Sequence, residues 1–162
     1  MQDRVRTHRR LRGAVAGLKA RLSADRGAAA VEFAIVVPLL FLLIFGIIDF
    51  GFGFHAWDAS ENAAREGARV AAVDPNTADI IARVKNSTNF LNQSRLNVQI
   101  TCSTNNGSSF GACAPASSWN EGDIIRVTVT YGYQFMTPLP RMIGLGSTLT
   151  ETAISESRFE GQ

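Results

Sequence analysis

Residues 28–54, AAAVEFAIVVPLLFLLIFGIIDFGFGF, decide how the rest of the chain is read. From Ala28 to Ile48 the run has 21 residues and one charge, Glu32. As a helix rising about 1.5 Å per residue it reaches roughly 31 Å, the thickness of a bilayer core. Its densest part, Phe33 to Ile48, is apolar on every face, so no stripe orients it on the core of a soluble protein. A secretory signal would be shorter and would meet small residues at a cleavage site. Here the run meets Asp49-Phe50-Gly51-Phe52-Gly53-Phe54, and cuts after Ala56 or Ala59 would place Phe54 or Trp57 three residues back. The segment is expected to remain as an anchor.

Charge supports this reading. Residues 1–26 hold eight of the sixteen Lys and Arg (Arg4, Arg6, Arg9, Arg10, Arg12, Lys19, Arg21, Arg26) against Asp3 and Asp25. That leader is +6, while the remainder, eight cations against twelve acids, is −4. A basic arm directly before an apolar span is the retained cytoplasmic flank of a membrane helix. No basic patch with interleaved aromatics recurs later, so nucleic acid is not an expected partner. The expected division is a basic cytoplasmic leader over 1–27, a transmembrane helix over 28–54 and an extracytoplasmic domain over 55–162.

Between leader and span lies Arg26-Gly27-Ala28-Ala29-Ala30-Val31-Glu32-Phe33. A glycine, small residues, a carboxylate five positions on and an aromatic next resemble the processing site of type IV prepilins. The resemblance implies a cut between Gly27 and Ala28 by a prepilin peptidase on the cytoplasmic side, with the apolar helix kept on the mature chain. Physical chemistry agrees with this. Gly27 leaves the backbone accessible to a protease cleft. Glu32 is costly inside an apolar span unless it finds a partner. Cleavage would create one, an amine on Ala28, four residues away on the same helix face. In type IV pilins the equivalent glutamate meets the terminal amine of a neighbouring subunit, which implies that Glu32 is an assembly carboxylate.

The resemblance narrows over residues 27–72. The Ala-Val-Glu-Phe start, Pro38 within the span, the Phe45-Gly46-Ile47-Ile48-Asp49-Phe50-Gly51 exit and Asn62-Ala63-Ala64-Arg65-Glu66-Gly67-Ala68-Arg69 are similar to the TadE-like family of the tight-adherence pilus system. Asp49 stands where that pattern usually has glutamate, a conservative departure. The family implies a pseudopilin or minor pilin of Flp-type pili. Its implied partners are the prepilin peptidase, the pilin and other pseudopilins, the inner-membrane assembly platform and membrane lipid, and it implies no cofactor.

Beyond the span, His55 to Val73 reads as the same helix leaving the membrane, with Ala56, Ala59, Ala63, Gly67 and Val70 along one side and a Glu61–Arg65 pair supporting it. The small side favours packing on the chain's own domain over packing on neighbouring subunits. Asp74-Pro75 ends this helix, and Asn76 with Asp79 resembles a cap for a second one whose apolar face is Ile80, Ile81, Val84 and Leu91. The period then changes to alternation. Leu96, Val98, Ile100 and Cys102 share one strand face; Ile125, Val127, Val129 and Tyr131 share another. A Pro138-Leu139-Pro140 turn precedes a last strand within Ser147 to Phe159. The expected fold is α+β, an N-terminal transmembrane helix extending into a small domain with helices on an antiparallel sheet of about three strands.

Cys102 and Cys113 flank a loop rich in Asn, Gly and Ser, and an even count outside the cytoplasm is consistent with one disulfide; two separate thiols are the other reading. Two thiols without a nearby histidine do not make a metal site. Gly107-Ser108-Ser109-Phe110-Gly111 matches a nucleophile elbow, but it lacks the strand-to-helix context, and His8 and His55 both precede it. No catalytic residue is expected. The competing reading is an uncleaved single-pass anchor whose outer domain binds a ligand or another envelope protein.

Overall fold

The computed structural model describes residues 3–161, with side chains described from residue 27 onward. The basic side chains of the leader, Arg4 to Arg26, lie outside the described ones. The chain divides into two compact units, Met1–Phe45 and Gly46–Gln162.

Helix α1 (Asp3–Ala71) supplies the described part of the first unit and opens the second. In the first unit the side chains from Val31 to Ile44 are almost all exposed, including Phe33, Leu39 and Leu43. Phe41 and Phe45 stack one turn apart with ring centroids at 5.6 Å. Exposed apolar surface on this scale calls for lipid or another helix. Among the described residues one helix, Gly27–Ala71, is long and apolar enough to cross a membrane.

The second unit is built on the C-terminal part of α1. Next comes α2 (Thr77–Ser87), capped as expected: Asn76 Oδ1 accepts from Ala78 N–H at 3.1 Å, and Asn76 Nδ2 donates to Asp79 at 2.6 Å. Ile80 and Val84 are fully buried on its inner face. Thr88 closes the helix through its own N–H to Lys85, so Leu91, expected on the helix face, follows the helix end and packs on the core from the connection. Three longer strands follow: β1 (Leu96–Ser103) and β3 (Ile124–Gln134), as the alternating patterns predict, and β4 (Thr148–Arg158), within the expected span after the proline turn.

The sheet has four strands rather than about three, in the order β2-β1-β3-β4, all pairs antiparallel. The extra one, β2 (Gly111–Ala112), is two residues long. It exists because the chain is folded back beside its disulfide, pairing Ala112 with Thr101 and Gly111 with Cys102. The proline turn is also more regular than expected: Leu139–Met142 forms a single helical turn, α3, with Pro140 in its first turn, where a missing N–H costs nothing.

The core lies between the small side of α1 and the central strand β3, which alternates fully: Ile125, Val127, Val129, Tyr131 and Tyr133 are buried and their neighbours half-buried. Two contacts give the register. A Cβ on Gly67 would lie 3.1 Å from Val127, and one on Gly53 would lie 3.6 Å from Tyr133. Fourteen helical residues rise about 21 Å, and six strand residues about 20 Å. Strand and helix therefore run antiparallel and in step, which lets one continuous row of small residues hold the whole strand. At the far end Glu160 N–H donates to the Ala72 carbonyl at 2.8 Å.

Candidate functional site

The residues singled out in the sequence fall into separate places. Gly27, Ala28 and Glu32 lie on the first unit's part of α1, all exposed, and a Cβ on Gly27 would meet nothing within 4 Å. Gly27 sits in helical backbone, so access by a protease requires local unwinding, which glycine tolerates best. Glu32 makes no ion pair among the described residues.

The eight residues Asn62 to Arg69 form two faces of α1. Ala63, Ala64, Gly67 and Ala68 are buried against the domain. Gly67 is the tightest point, since a Cβ there would lie 2.6 Å from Val84 and 3.1 Å from Val127, at the junction of α1, α2 and β3. The other face is polar. Asn62 donates to Asp58 at 3.3 Å, and Arg65 pairs with Glu61 at 3.2 Å. Glu66 meets both Arg69 and Arg83 of α2 at 3.1 Å. Hydrogen bonds from Arg69 first, then Arg83, hold the Glu66 carboxyl below its usual range. The motif is thus the device that docks α2 and the sheet on the helix, and the small side of α1 packs on the chain's own domain, as expected.

Cys102 and Cys113 are bonded, with Cα atoms 4.8 Å apart. The bridge ties β1 to the loop leading to Trp119, whose indole N–H donates to the Ala114 carbonyl at 2.9 Å and whose ring meets Phe159 edge-on at 5.6 Å. Gly107 to Phe110 lie in the β1–β2 connection and Gly111 opens β2, so the segment is not between a strand and a helix and the elbow geometry is missing. Among the described residues no group of three or more His, Cys, Asp or Glu could hold a metal ion.

One cluster escaped the sequence reading. Asp49, only 6% exposed, accepts from Met136 N–H at 2.8 Å and Thr137 N–H at 3.2 Å through Oδ1, and from the Thr137 hydroxyl through Oδ2. It fastens the end of β3 to α1. Beside it is a cleft of about 420 Å³ walled by Phe50, Phe54 and Trp57 of α1 and by Leu139, Ile143 and Leu145 across from them. Its inner end carries Tyr133 and Glu151, whose hydroxyl and Oε2 are buried without a partner. Burial raises the Glu151 carboxyl above its ordinary value; burial first, then the charges of Asp49 and Glu151, raises the Tyr133 hydroxyl. A spacing signal did exist. Asp49, Gly53, Ala56, Ser60, Ala63 and Gly67 recur at alternating steps of four and three, so the carboxylate belongs to the buried stripe.

With this geometry in place, the family resemblance is supported directly. A family model described as TadE-like protein matches residues 27–69, which run from the glycine before the apolar segment through the docking motif. Neither a curated protein nor a solved structure matches the chain. The TadE-like family is associated with tight-adherence, Flp-type pili and is not an enzyme family, which suggests a pilus-associated protein; among the described residues one helix is long and apolar enough to anchor it in a membrane.

Proposed function

We propose, taking the TadE-like segment 27–69 as the premise, that this chain is a pseudopilin of a tight-adherence pilus system that acts by assembly and performs no chemistry of its own. A prepilin peptidase cuts after Gly27. The helix from Ala28 stays in the cytoplasmic (inner) membrane, with the basic leader on the cytoplasmic side and the sheet domain outside. The freed Ala28 amine and Glu32 set register with the pilin, other pseudopilins and the assembly platform as helices pack side by side.

The observation that carries this reading is the coincidence of boundaries on one helix. The family match begins at the glycine of the expected cut and ends at Arg69, and within it an apolar stretch that buries nothing of its own passes into a stripe that holds a folded domain. A helix so divided suits a subunit that presents a cargo domain while its apolar part packs in lipid or against like helices.

N-terminal sequencing of the chain from native membranes tests it. The expected mature chain starts at Ala28. An intact leader in cells with an active prepilin peptidase would overturn the processing and leave the uncleaved anchor as the better reading.

A further inference from the structure

The turn between β3 and β4 is built to meet an apolar medium. Four large apolar side chains stand exposed within ten residues: Met136 at 65%, Met142 at 78%, Ile143 at 60% and Leu145 at 65%. A solvated loop tip seldom displays such a surface, which marks contact with a membrane or a partner.

Much of the backbone beneath these side chains is paired within the turn or with Asp49. Met142 N–H donates to Pro138, Ile143 N–H to Leu139, Gly144 N–H to Arg141 and Leu145 N–H to Pro140, at 2.8 to 3.2 Å. Pro138 and Pro140 have no N–H, and those of Met136 and Thr137 are taken by Asp49. Gly144 and Gly146 have φ of +81° and +76°, the left-handed backbone that lets the chain reverse within this short distance. Water is therefore not needed to satisfy the donors from Met142 to Leu145, the condition that backbone must meet where water is scarce.

Position supplies the occupant. Asp49 fixes the start of the turn beside residues 46–54 of α1, inside the segment expected to span the bilayer. At the same level Phe50, Phe52 and Phe54 stand exposed around the helix. These rings prolong the apolar run, and Trp57, also exposed one turn further on, is the amphipathic aromatic that sits at the headgroup level. Arg141, exposed on the same turn, has the reach to place its guanidinium among lipid phosphates while its stem lies along apolar surface.

We infer that the turn Met136–Leu145 enters the lipid interface beside the helix and forms a second membrane contact, with acyl chains meeting Met142, Ile143 and Leu145. The domain is then held to the bilayer at two places, and its orientation about the helix axis is fixed. This inference rests on the membrane-anchored reading, and the test separates the two.

The full chain has no free cysteine among its described residues, so single labels are clean. A fluorophore is placed in separate variants at Ile143→Cys, at Leu40→Cys within the apolar run, and at Asn86→Cys on the exposed side of α2. Each variant is reconstituted in vesicles of phosphatidylethanolamine and phosphatidylglycerol, and quenching by doxyl-labelled lipid is compared with quenching by iodide. The label at residue 143 should lose intensity to doxyl lipid, as the one at residue 40 does, and resist iodide, while residue 86 behaves oppositely. Iodide quenching at 143 equal to that at 86 overturns the inference and leaves the anchor intact. A label at 143 shielded from both quenchers means another protein copy covers the turn, which also overturns it. Absence of doxyl quenching at residue 40 removes the anchored reading, and this inference with it.

Discussion

Asp49 and Thr137, 88 residues apart, are joined by two hydrogen bonds, one from the threonine N–H at 3.2 Å and one from its hydroxyl to the other carboxylate oxygen. The bond from Met136 N–H makes the carboxylate a three-way acceptor at the point where the sheet meets the apolar end of the helix. A carboxylate at such a place is tolerable only because it satisfies donors that would otherwise be orphaned there.

Asp49→Ala should therefore destabilise the domain by on the order of 3 kcal/mol, since each orphaned buried donor costs about 1–3 kcal/mol. Asp49→Asn, which keeps an acceptor oxygen but loses the charge, should lose less. Chemical unfolding of the full chain in detergent measures both. Limited proteolysis should show the Ala variant cut first between Met136 and Gly146; unchanged protection there would mean that the turn is held by its own hydrogen bonds alone.

Gly67 yields a contrast within one helix. An added methyl would lie 2.6 Å from Val84 and 3.1 Å from Val127, whereas at Gly51 nothing lies within 4 Å. Gly67→Ala should cost about 1–3 kcal/mol through overpacking, and Gly51→Ala should be neutral or gain up to about 1 kcal/mol of helix propensity. Equal effects in a thermal unfolding comparison would show that α1 and β3 can separate without penalty.

The sequence made some of this legible and not the rest, for a reason visible in particular residues. Val127 and Val129 announce a strand because their neighbours alternate with them, and Asn76 announces a helix because its capping partner Asp79 is three residues away; both are local patterns. The small row from Ala56 to Gly67 could be read as a packing face, and it is one. What it packs against depends on the match in rise between helix and strand, which involves residues sixty and more positions apart. Asp49 was hidden for the same reason: its partners lie in another part of the sequence, and inside an apolar run it reads only as the end of the span. Strand β2 was missed because Gly111–Ala112 has no pattern of its own and is recruited by the neighbouring disulfide.

That disulfide makes a further outcome calculable. Cys102 and Cys113 are 11 positions apart, and closing a loop of this size is worth roughly 2–3 kcal/mol. The Cys102→Ser, Cys113→Ser double variant should unfold at correspondingly lower denaturant. The loss should match that of the wild-type chain under reductant, because the two measurements break the same bond. Loss of the β2 pairing should appear as faster amide exchange at Ala112.

Glu32 is exposed on the helix and makes no ion pair among the described residues. If its partner is supplied by a neighbouring subunit, Glu32→Ala should leave processing and membrane insertion near wild type while lowering incorporation into pili. Immunoblots of membrane and sheared pilus fractions read these separately. Wild-type incorporation in that variant would remove the assembly role of the carboxylate.

Glu151 predicts a dependence on pH. Burial raises its carboxyl above the ordinary 4.5, so the folded chain holds the proton more tightly than the unfolded one. Folding is then favoured most below 4.5, and that advantage is lost as pH rises through the raised folded value. Once ionised, the carboxylate adds its charge to that of Asp49 in raising the Tyr133 hydroxyl. Glu151→Gln, which is neutral throughout, should therefore be more stable than wild type at neutral pH, and the difference should close as the solution is acidified toward 4.5. Denaturant midpoints of both chains across this range provide the check. Parallel profiles would mean that Glu151 reaches solvent and that its buried oxygen carries no charge of consequence.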